Sequence, residues 1–154
     1  MPIVECGYRH DDHERPDDVL VVWGPTIMVS IGFDPDYQYE NNEDGTHPKS
    51  QITQVPALID TGAGVSCIDD ALAKNIGLPI IDRQMVSGVG GATEVNTYLG
   101  HIYIPALDFT QWGQFMGALL THGGQRHQAL IGRTLLRNSL LVYDGREGQV
   151  KLAQ

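Results

Sequence analysis

Residues 57–70 read ALIDTGAGVSCIDD. An apolar run, Ala57-Leu58-Ile59, delivers the acid Asp60 straight into Thr61-Gly62-Ala63-Gly64. A carboxylate at the end of a buried strand is costly unless something engages it. The glycine that follows lets backbones approach closely and frees N–H groups to point at the carboxylate. Asp60 therefore reads as a catalytic carboxylate, one half of an acid–base pair. A weaker echo follows at 129–136, ALIGRTLL, which again runs an apolar strand into a glycine but carries no acid there.

The elements that must position Asp60 are mostly strands. Val55–Ile59 reads as a short buried strand ending at the acid. Asp69 can cap a helix beginning DDALAKNI, which Gly77 and then Pro79 stop. Residues 80–99 read as a long hairpin turning at Ser87-Gly88-Val89-Gly90-Gly91. His101–Leu107 and Gln114–Leu120 are further strands, and 122–128 is a polar loop. Ala129–Ile131 is a second apolar strand, which enters Gly132 and a short helix, RTLLRN. The chain closes in a hairpin turning at Asp144–Gly148. Upstream, 19–33 is β-rich and broken by Gly24-Pro25. Residues 1–18 read as a polar, loosely held leader with room for a short strand at Ile3–Cys6. Residues 34–54 are polar and turn-rich, an exposed insertion. The domain proper is 19–154.

The chain has 154 residues, 42% of them hydrophobic, enough for one domain with a real core. A formal net charge of -9 argues against nucleic acid or an anionic membrane as partner. No apolar run approaches a membrane span. The N-terminus lacks a signal peptide's apolar stretch, which predicts a cytoplasmic protein. Two cysteines, Cys6 and Cys67, make no disulfide framework. Of six histidines only His10 and His13 have a metal-like spacing, and they lie in a polar segment without further ligands. No metal or cofactor is expected.

Three chemistries place an acid before Thr or Gly at a strand turn. Phosphate loops of the actin and sugar-kinase type need two large domains, more than this chain holds. Aspartyl-phosphate phosphatases place a second acid two residues on, where this chain has Gly62. Aspartic peptidase chemistry fits. Across roughly 52–152 the sequence resembles the retropepsin family, the single-domain aspartic proteases. Four ordered features carry the resemblance: ALIDTGAG, the Gly88–Gly91 hairpin, ALIGRTLL and the closing hairpin VYDGREGQVKL.

The resemblance implies a mostly β acid-protease barrel, one lobe per chain, with one or two short helices. There is one Asp-Thr-Gly; Asp44-Gly45 and Asp144-Gly145 read as plain turns. The resemblance therefore implies a homodimer in which Asp60 of each copy meets at the two-fold axis. The two carboxylates would share a proton and activate a water against an extended peptide, with most activity at mildly acidic pH. Thr61 is either a β-branched strand-end residue or, by the resemblance, a hydroxyl bonding across the dimer axis. Gly62, Ala63 and Gly64 would lie along substrate backbone. Gly88, Val89, Gly90 and Gly91 would form a flap. Ile131, Gly132 and Arg133 would support the site. In retroviral members the arginine of the Gly-Arg turn pairs with an acid at the fifth position of the catalytic loop; that position is Gly64, so Arg133 needs another partner. A second reading is a peptide-binding or dimerisation module of the same fold without proteolysis, and a third is an unrelated all-β binding protein in which Asp60 is a turn acid accepting backbone N–H bonds.

Overall fold

The computed structural model describes residues 1–40 and 45–154. In chain order they form β1 (Ile3–Glu5), α1 (Pro16–Trp23), β2 (Thr26–Gly32), β3 (Ile52–Ile59), β4 (Cys67–Asp69), α2 (Asp70–Asn75), β5 (Ile80–Gly88), β6 (Gly91–Ile104), β7 (Phe109–Ala118), β8 (Ala129–Ile131), α3 (Arg133–Leu136), β9 (Leu140–Asp144) and β10 (Gln149–Ala153). Seven strands make one sheet in the order β2-β3-β8-β4-β7-β6-β5, and a further β2–β6 pairing curls it toward a barrel. The other three make a small sheet, β1-β10-β9. The lobe is mostly β, as expected of a retropepsin-like fold.

Alternation places the core. Ile27, Val29 and Ile31 on β2 point inward with Val55, Ala57 and Ile59 on β3. Each fully buried branched side chain contributes about 1.5–3 kcal/mol. The two ALI segments of the sequence echo lie side by side. β3 and β8 pair in parallel, Ala57 opposite Ala129, Leu58 opposite Leu130 and Ile59 opposite Ile131.

Two upstream expectations change. Residues 16–23 are helical, so the described residues hold three α-helices rather than one or two, and the β-rich reading of 19–33 holds only from Thr26. Valines favour a strand, but Pro16 and the acids Asp17 and Asp18 favour a helix start, and Leu20 turns inward at 1% exposure. Gly24, at φ 72°, ends the helix. The N-terminal segment is also tied down. β1 pairs with β10 from Ile3–Ala153 to Glu5–Lys151, and Cys6 is buried. Cys6 and Cys67 are both free thiols.

The described parts of the 34–54 segment are stitched to the sheet around a buried histidine and by ring stacking, with His47 on Tyr103 of β6. His101, fully buried on β6, bonds Tyr39 Oη at 2.7 Å through Nδ1 and Ser50 Oγ at 2.9 Å through Nε2. Tyr39 stacks on Trp112, and Asp34 accepts the backbone N–H of Lys49. The Asp44 half of the Asp44-Gly45 turn lies outside the described residues. Burial, the largest cause, lowers the His101 pKa to about 4. Below its ordinary pKa the unfolded chain takes up a proton that the fold refuses. Stability is therefore expected to fall as pH drops from about 6.5 toward 4, by about 3 kcal/mol from this residue. Urea midpoints measured across that range check this, with a shallower slope expected in His101→Gln. Among the described residues no helix is long and apolar enough to cross a membrane.

Candidate active site

Asp60 follows β3 directly. Its backbone N–H donates to Ile131 O at 2.9 Å, which fixes it beside the end of β8. The chain then turns back on itself, with Ala63 N–H donating to Asp60 O and Gly62 N–H donating to Asp60 Oδ1 at 2.9 Å. The carboxylate is half-buried; Thr61, Gly62 and Gly64 are exposed. No ion pair engages Asp60 among the described residues.

The second glycine turn grips the first. Arg133 N–H donates to Ala63 O at 2.9 Å and Thr134 N–H to Gly64 O at 3.1 Å. Gly132 N–H donates to the buried Ser66 Oγ. A Cβ at Gly132 would stand 2.5 Å from Val65 O and 3.0 Å from Ala63 O. Only glycine fits where the loops cross, and this is the close approach that the Gly-rich sequence pattern signals.

Arg133 has a backbone partner in place of an acid. Its Nη1 donates to Thr61 O at 2.8 Å. Asp69 and Asp70, which follow the Asp60 loop in sequence, are engaged elsewhere. Asp70 accepts from Tyr98 Oη, Asn96 Nδ2 and Lys74 Nζ, and these partners hold its pKa below the ordinary range against burial, the largest single influence, which pushes it up. Removing Arg133 frees the Thr61 carbonyl. Arg133→Ala is expected to loosen the 60–64 loop by about 10- to 100-fold in opening equilibrium, the size of one charge-assisted bond, measured as faster amide hydrogen exchange at Gly62 and Ala63.

The structure thus brings Asp60, Thr61, Gly62, Ala63 and Gly64 together with Ile131, Gly132 and Arg133. It holds Gly88, Val89, Gly90 and Gly91 apart from them, at the tip of the β5–β6 hairpin. Gly88 pairs with Gly91 across a turn of two residues, and Val89 is fully exposed. Nothing stands within 4 Å of where a Cβ would sit at Gly88, Gly90 or Gly91, and every residue of β5 is exposed. Beside the Asp60 loop, burial and then the charge of Asp60 raise the pKa of Cys67, which disfavours its thiolate.

Sequence reasoning did not find the second task of Asp69. It caps α2 through Leu72 N–H, as its position predicts, and it also accepts from Leu120 N, Thr121 N and Thr121 Oγ1. Those partners lie 51 and 52 residues away, and no local pattern announces them.

An Asp-Thr-Gly loop closing a parallel strand pair, in a mostly β lobe, defines the retropepsin-like class of aspartic protease. A family model described as Aspartyl protease matches residues 49–135, more than half of the chain, and the chain belongs to that family. Among solved structures, the EIAV protease complexed with the inhibitor HBY-793 is 19% identical, with 74% of this chain and 86% of that chain covered and a TM-score of 0.46. The simian foamy virus (mac) protease in solution is 12% identical, with 73% and 91% covered and a TM-score of 0.45. No curated protein matches this chain.

Proposed function

We propose that the protein is a homodimeric aspartic endopeptidase whose site forms when two Asp60 carboxylates meet at a two-fold axis. One observation carries the reading: a single catalytic-type acid, held by Gly62 N–H on an otherwise exposed loop. The chemistry needs two such acids. Brought into contact, the pair keeps one proton. The ionised member takes a proton from water as the oxygen attacks the peptide carbonyl carbon. The protonated member donates to the carbonyl oxygen. Collapse of the tetrahedral species breaks the C–N bond, and the amine leaves with a proton. Thr61 braces the two loops across the axis, Gly62, Ala63 and Gly64 lie along substrate backbone, and Gly88–Gly91 close over it. Substrates are extended peptides or unfolded segments, which add to strand edges.

The surface next to Thr61 supports a second copy as partner. β9 ends the small sheet, so one side of it is an unpaired edge. Leu140, Val142 and Tyr143 on that strand are exposed. A cleft of about 330 Å³ lined by Thr61, Arg133, Leu136 and Leu141 continues from it to the catalytic loop. The test is digestion of a denatured protein mixture from mildly acidic to neutral pH, with and without a statine-type transition-state mimic, beside sedimentation of the same sample. Cleavage blocked by the mimic supports the reading. No cleavage by a protein shown to be dimeric overturns it in favour of a peptide-binding module.

A further inference from the structure

A cavity of about 270 Å³ lies between α1 and the loop before β8, lined by Val22, Trp23, Gly123, Gly124, Arg126 and His127. Strand pairing fixes where it stands relative to Asp60. Pro25 O accepts Ile59 N–H, so Trp23 and Gly24 flank the last residues before the acid. On the other side Gln128 N–H donates to Pro56 O, four residues before Asp60, or about 13 Å at ~3.3 Å per strand residue. That is the reach of a side chain three or four residues along an extended peptide whose reacting bond sits at Asp60.

The lining has a definite chemistry. The Arg126 guanidinium lies 3.9 Å above the Trp23 ring. It makes no ion pair among the described residues, on a chain with 19 acids and 10 bases. Stacking holds the plane of the guanidinium and leaves its fork of donors for a planar acceptor. A carboxylate matches that fork in shape and charge. His127 forms the floor at 2% exposure, anchored by Nε2 to Thr26 Oγ1 at 2.8 Å. Burial first, and then Arg126, lower its pKa, so it adds no rival cation. Gly123 and Gly124 bring no side chain to the wall, and Val22, 74% exposed, gives an apolar rim for the stem of a glutamate.

We infer that this cavity is a substrate subsite that selects an acidic side chain three or four residues from the cleaved bond, with Arg126 as the specificity-determining residue. The inference rests on one part of the proposed function, that an extended peptide lies across the Asp60 loop, and not on that peptide being cleaved. Its test separates the two. Asp60→Asn protein is titrated calorimetrically with end-blocked peptides that differ only in Glu against Gln, walked through the four positions on each side of the central bond. One position is expected to favour Glu by about tenfold. Arg126→Gln in the same background is expected to erase that preference, and Arg126→Lys to restore only part of it, with thermal midpoints unchanged. In the Asp60 protein the same Glu is expected to raise kcat/KM mainly through a lower KM. Equal affinity for Glu and Gln at every position overturns the inference, as does a preference that survives Arg126→Gln. A preference erased by Arg126→Gln in a protein that never cleaves refutes the peptidase reading and leaves the subsite standing. Cleavage without any preference does the reverse.

Discussion

Asp60→Asn is expected to lower cleavage by roughly a hundred- to ten-thousandfold, the range of general acid–base assistance, with the thermal midpoint almost unmoved. The structural cost is small because the amide oxygen of an asparagine can still accept the Gly62 N–H that Asp60 Oδ1 now accepts at 2.9 Å. The chemical cost is large because two amides cannot take a proton from water. Mixing gives a sharper result. When equal amounts of wild type and Asp60→Asn exchange subunits, about one quarter of the dimers carry two Asp60 residues, and activity is expected to track that fraction. If each chain worked alone, half would remain. A linear dependence on the wild-type fraction, measured after subunit exchange is complete, would refute the shared site.

Asp69→Ala is expected to cost about 3–5 kcal/mol of stability, read from urea denaturation. Asp69 is 2% exposed, and its two oxygens accept from three backbone N–H groups and one hydroxyl. Truncation strands those donors, at about 1–3 kcal/mol for each that water cannot reach, and removes the cap of α2, worth about 1 kcal/mol. Asp69→Asn keeps one of the two oxygen acceptors and is expected to lose about half as much. The damage spreads because of where Asp69 sits. It ends β4, which lies between β8 and β7, and it pins the start of the loop that carries Arg126 and His127. A variant that stays folded at low temperature is expected to lose peptide affinity before it loses its sheet.

What could be read from sequence, and what could not, follows from the range of the interactions. The two ALI strands, the glycine turn after each, the Asp69 cap and the hairpin turning at Gly88–Gly91 were legible because each is a local pattern with one conformational meaning; that the two ALI strands lie side by side was not, since nothing in either names the other. The α1 segment was not. Val19, Val21 and Val22 speak for a strand, and the helix prevails through Pro16, the two acids after it and the burial of Leu20. Arg133 was recognised as needing a partner, but Thr61 O carries no side-chain signature and could not be named from sequence. His101 looked like one scattered histidine among six, because its partners stand 62 and 51 residues away and gain meaning only when β6 lies under them. The Arg126–Trp23 pair likewise joins a loop and a helix that the strand pattern alone does not bring together.

The pairing of β1 with β10 orders events during synthesis. Ile3–Glu5 leave the ribosome well before their strand partners, Lys151–Ala153. The large sheet, with Asp60 already seated against Ile131, needs nothing beyond β8 and can close earlier. The small sheet is completed only after translation reaches β10. Asp60 is thus seated before the small sheet exists, and any contact that needs the β9 edge in its finished form has to wait for β10 to be made.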